Sequence, residues 1–109
     1  MGPEERFSAL VDRFRDTPGV AMPDPAGRRA FGSSALKVNG SIFAMLTGGR
    51  LVVKLSQDRV QALIEDGTGA PFDSGKGRPM KEWLSVVVED DETWHELARE
   101  AFGFVGSRP

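Results

Sequence analysis

With 109 residues the chain has material for one hydrophobic core and too little for two, so a single domain over 1–109 is expected. The absence of cysteine excludes disulfides and thiolate metal sites, and no apolar run approaches the ~20 residues of a membrane-spanning helix. A formal net charge of −2 argues against indiscriminate nucleic-acid binding, and with no secretory leader at the start the expected location is the cytoplasm.

Residues 3–16 carry Phe7, Leu10, Val11 and Phe14 at i, i+3, i+4 and i+7, the spacing of one helix face. Pro3 suits a first helical turn, Glu4 and Glu5 complement the N-terminal dipole, and Asp16-Thr17-Pro18-Gly19 ends the helix. The run from Pro18 to Gly27, with three prolines and two glycines, reads as a loop. Arg28 and Arg29 follow it, either as a solvated strand entry or as phosphate contacts.

Residues 31–55 read as a three-stranded antiparallel meander. Asn39-Gly40 and Gly48-Gly49 each separate apolar runs, and both pairs tolerate the positive φ angles of two-residue hairpin turns. Strict pairing outward from the turns sets Val38 opposite Ser41, Leu36 opposite Phe43 and Met45 opposite Val52. One face then collects Ile42, Ala44, Leu46, Leu51, Val53 and Leu55, to be covered by helices. The other face carries Leu36, Phe43, Met45 and Val52, bordered by Arg50 and Lys54. Phe43, Met45 and Val52 are thus candidates for an interaction or self-association face. With the neighbouring cations, the same face is a candidate platform for nucleic acid.

Ser56 caps a second helix over 56–66, closed by Gly67, with Val60, Leu63 and Ile64 as its buried stripe. A glycine-rich loop is expected from Gly67 to Trp83. It is not a nucleotide-binding loop. Five residues rather than four separate Gly69 from Gly75, Gly77 replaces the magnesium-binding hydroxyl, and a helix rather than a strand precedes it. Its Lys76, Arg78 and Lys81 offer an anion contact; alternatively its Phe72, Pro79, Met80 and Trp83 pin a crossover onto the sheet. Residues 83–88 form a further strand, and Asp90 or Asp91 caps a last helix over 91–105, with Trp94, Leu97, Ala98, Ala101, Phe102 and Val105 on one side. His95, the only histidine, is placed on the polar side in solvent. No nucleophile–base pair, metal-ligand set or cofactor box is visible, so catalytic, cofactor and metal residues are expected to be none.

The charge is unevenly distributed. Residues 26–83 hold nine basic and five acidic side chains, while residues 84–109 hold two and six. A basic middle is the electrostatic hint of a polyanion partner, drawing on Arg28, Arg29, Arg50, Lys54, Lys76, Arg78 and Lys81.

The order of elements implies an α+β two-layer sandwich with helices largely on one face of an antiparallel sheet. The run AFGSSALKVNGSIFAMLTGGRLVVKL, followed by GAPFDSGKGRPMKEWLSV and LAREAFGFV, resembles the N-terminal domain of the TfoX/Sxy competence regulators, in its single-domain form. The YjbR-like proteins, often labelled DNA-binding, are similar in layout and are the near relatives. The resemblance implies a two-layer sandwich of the secretion-chaperone-like kind and supplies no catalytic residue. Full-length TfoX proteins act with the cyclic-AMP receptor protein at promoters and carry a second, helical domain, for which this chain leaves no room. Two functions follow as expectations. The first is a non-enzymatic regulatory module acting through a protein partner or a homodimer. The alternative is a DNA-binding module using the basic patch. No membrane or metal partner is expected.

Overall fold

The computed structural model describes residues 2–21, 35–73 and 79–107. Its elements, in chain order, are α1 (Pro3–Arg13), β1 (Val20–Ala21), β2 (Ala35–Val38), β3 (Ser41–Thr47), β4 (Arg50–Lys54), α2 (Gln57–Glu65), β5 (Gly69–Asp73), β6 (Pro79–Val86) and α3 (Asp91–Gly106). The six strands form one antiparallel sheet in the order β1-β2-β3-β4-β6-β5. The expected two-layer α+β sandwich is present. All three helices contribute to one core with Leu36, Phe43, Ala44, Leu51, Val53 and Leu84 of the sheet.

Local chemistry explains the boundaries. Asn39 (φ 52°) and Gly40 (φ 85°) make the first hairpin turn, and Gly48 (φ 61°) and Gly49 (φ 79°) make the second. Ser56 Oγ accepts from the Arg59 N–H at 3.3 Å and starts α2. Beyond its end, the Gly67 N–H donates to Ile64 O and the Thr68 N–H to Leu63 O, with Gly67 at φ 87°. Asp90 caps α3 by accepting from the Thr93 N–H at 2.9 Å. Trp94 anchors that helix, fully buried, with its indole N–H donating to Val88 O at 2.7 Å.

The structure departs from the sequence expectations at four places. The first helix ends at Arg13 rather than at residue 16. Phe14 leaves helical geometry (φ −102°, ψ 3°) and turns its buried ring into the core. The run after Pro18 contains a short edge strand, because Gly19 (φ 86°) turns Val20 alongside Val38. The expected loop from Gly67 to Trp83 contains β5 and the first half of β6. Pro71 has no N–H to give, which an edge strand tolerates. Gly69 lies so close to Leu84 that a β-carbon there would meet Cγ at 2.6 Å. The residues that look like loop punctuation are therefore what permits the strand.

The fourth departure sorts the sheet faces. Thr47↔Arg50, Leu46↔Leu51, Met45↔Val52 and Ala44↔Val53 pair as the second turn dictates. Val38↔Ser41 pairs as the first turn dictates, but Leu36 faces Ala44 rather than Phe43. Phe43 is the extra residue of a β-bulge. Without it, Leu36 and Val38 would face away from the side that Ala44 and Leu46 face. With it, both hairpins direct their apolar residues at the same helices. Leu36 and Phe43 thus join the core, and Ile42 lies outside it.

Candidate nucleic-acid interface

Alternation along β3, β4 and β6 leaves one face of the sheet without a covering helix among the described residues. Cross-strand pairing lays a row over it from Ala35 through Met45, Val52 and Ser85 to Ala70. Lys54 and Trp83 pair directly across β4 and β6 beside this row, and Lys37 lies on the same side, opposite Ile42. Thr47 and Arg50 flank the other side. Strand rise places Arg50 and Lys54 about 13 Å apart.

Of the expected interaction face, the structure retains only part. Phe43 is 0 % exposed and lies on the helix side, where its ring meets Phe14 at 5.5 Å and Phe102 at 5.6 Å, both edge-on. Val52 is on the helix-free side but is also 0 % exposed. Met45 is half-buried. A contact surface made of these three side chains is therefore not present: the bulge took Phe43 inward, and Val52 lies sealed in the middle row.

The basic residues fare differently. Arg50 and Lys81 are exposed, and Lys54 is half-buried with its ammonium 5.5 Å from the centre of the Trp83 ring. Arg28, Arg29, Lys76 and Arg78 lie outside the described residues. Lys37 joins the set, exposed and on the same face as Lys54, and sequence reasoning passed over it. The signal was present in the alternation: Lys37 stands between Leu36 and Val38, both buried, and so must point the other way.

The helical layer has the opposite character. Its α3 carries Asp91, Glu92, Glu96 and Glu100 against the lone Arg99, whereas the strands carry Lys37, Arg50, Lys54 and Lys81 against Asp73 and Glu82. Three arginines on the helical side are used internally. Arg6 pairs with Asp91 at 2.7 Å and lies over the Trp94 ring, Arg13 pairs with Glu92 at 3.1 Å, and Arg59 pairs with Glu100 at 2.7 Å. The hydrogen bond to Glu100 pushes the Arg59 guanidinium above its ordinary pKa. None of Lys37, Arg50, Lys54 and Lys81 enters an ion pair with another described residue.

His95 is half-buried rather than in solvent, with its ring 6.0 Å from that of Phe14. Among the described residues, no group of three or more His, Cys, Asp or Glu side chains is placed to hold a metal ion. A cavity of about 340 Å³ opens between Pro18, Val38, Asn39, Phe102 and Ser107, and among the described residues no charged side chain lines it. No described helix is long and apolar enough to cross a membrane.

No curated protein or solved structure gives a significant match to the chain. A family model does match, that of YjbR, over residues 15–103. This is the family placed second on sequence, behind the TfoX/Sxy type. The match runs from the turn after α1 to the last turns of α3 and takes in every strand of the sheet, and on that extent the chain belongs to the YjbR family.

Proposed function

We propose that this protein is a non-enzymatic nucleic-acid-binding module whose contact surface is the basic margin of the helix-free sheet face, around its buried middle row. The observation that carries the reading is the segregation of charge. Arg6, Arg13 and Arg59 of the helical layer pair with carboxylates of that layer, while Lys37, Arg50 and Lys54 on the helix-free face, and Lys81 on β6, enter no ion pair with another described residue. A phosphate backbone is the partner that such a surface attracts, because cations placed against it release condensed counterions. The net charge of −2 does not oppose this, since the negative excess is concentrated in the helical layer. The protein-binding alternative relied on Phe43, Met45 and Val52, two of which are buried. A regulatory effect of the kind implied by the TfoX/Sxy resemblance would then follow from occupancy of the nucleic acid, without any catalysed step.

The test is a fluorescence-anisotropy titration of labelled DNA across a range of salt. Four phosphate contacts predict a slope of log affinity against log salt of about −3.6 on a duplex or about −2.8 on a single strand. Reversing the charge at the three exposed positions, Lys37→Glu, Arg50→Glu and Lys81→Glu, should remove most of that slope and weaken binding at low salt at least tenfold. The circular dichroism spectrum should not change, because exposed substitutions of this kind rarely move stability by more than ~0.5 kcal/mol. If the triple variant binds as well as the parent, the sheet face is not the contact.

A further inference from the structure

The helix-free face is not uniformly polar. Beside the cations it presents Trp83, half-buried on β6, then the half-buried Met45, and Val87, the one exposed large apolar side chain of the described residues. Trp83 is not part of the buried core cluster. Its ring lies 5.5 Å, centre to ammonium, from Lys54. This differs from Trp94, which is 1 % exposed, hydrogen-bonded and fixed in the core.

A duplex presents phosphate and sugar to a broad sheet face, and its bases are stacked on one another inside. Such a ligand would use the cations and gain nothing from an indole and its apolar neighbours. Nor does the face, among the described residues, present a helix of the kind that enters a major groove. A single strand offers both halves of the match: phosphates for Lys37, Arg50 and Lys54, and unstacked bases for an aromatic face. Resting on the proposed nucleic-acid reading, we infer that the ligand is single-stranded, with one base stacked on Trp83 while Lys54 turns from the ring to the adjacent phosphate.

The chain contains two tryptophans, and only Trp83 lies on this face. Intrinsic fluorescence therefore reports the contact directly, over a constant contribution from buried Trp94. The experiment titrates the full chain, at fixed low salt, with an oligothymidylate and separately with a duplex of equal phosphate number. The inference requires at least tenfold tighter binding of the single strand, with quenching of tryptophan emission by the single strand only. Trp83→Leu should abolish the quenching and weaken single-strand binding roughly tenfold, leaving duplex binding unchanged. Trp83→Phe, which keeps an aromatic face, should recover most of the affinity; the emission of Trp94 in both variants reports whether the core is intact.

Equal or tighter binding of the duplex, or an unchanged single-strand preference in Trp83→Leu, overturns the inference while leaving the nucleic-acid function standing. Failure of both ligands to bind at low salt overturns the function itself and this inference with it.

Discussion

At the scale of single residues, His95 ties the helical layer to pH. Its ring packs against Phe14, and burial holds its pKa below the ordinary value, helped by the charges of Arg13 and Arg99 and opposed by Glu92 and Glu96. Protonation is therefore easier in the unfolded chain than in the folded one. The contribution of the neutral ring is complete above the usual histidine value of about 6.5 and drains away as pH falls from there through the lower folded value. The urea midpoint should fall between pH 7 and pH 5, and His95→Gln should flatten that part of the profile while lowering the starting stability. An unchanged slope in the variant would show that other groups titrate there. Asp66 and Asp90 act in a separate window. Hydrogen bonds from Thr68 and Thr93 hold both carboxyls below the usual aspartate range, so their contributions persist until the pH drops below ordinary aspartate values and are then lost.

At the scale of elements, the bulge in β3 decides what is core and what is surface. Phe43 sits where the end of α1, the sheet and α3 converge, with Phe14 and Phe102 both packed on its ring. Phe43→Ala should cost about 3–5 kcal/mol, measured by urea denaturation. A loss below 1 kcal/mol would mean that the ring is not the hub its contacts make it. The turns and caps around this strand were legible because each depends on a few local residues. Asn39-Gly40 and Gly48-Gly49 satisfy positive φ, and Ser56 and Asp90 satisfy helix N-termini. The bulge was not legible. Pairing outward from either turn is correct near that turn, and only the demand for apolar contact with the end of α1 and with α3 forces the extra residue at Phe43. Strand β5 escaped for a different reason: Gly69 and Pro71 carry the composition of a loop, and the close approach to Leu84 that requires the glycine is tertiary information. The same holds for the candidate site. Arg50, Lys54 and Lys81 were named from charge alone, whereas the placement of Lys37 and Trp83 on the face that carries Lys54 emerges only when the faces are sorted.

At the scale of the whole molecule, the two layers carry opposite charge. The protein should therefore bind a sulfated-polysaccharide resin at pH 7 and low salt despite a sequence pI near 5.4. The Lys37→Glu, Arg50→Glu, Lys81→Glu variant should pass through the same column. Retention of both proteins would place the attraction elsewhere on the chain. The strand order has another consequence, in the time course of synthesis. β6 lies between β4 and β5, so the outer edge of β4 finds its partner only when residues 83–86 reach residues 51–54. As the chain leaves the ribosome N-terminus first, the meander can form early, but its edge stays open while α2, β5 and β6 follow. A growing chain that pairs this edge with a neighbour's would join two sheets. The interval between Lys54 and Trp83 is thus the window in which the nascent protein is most exposed to misassembly.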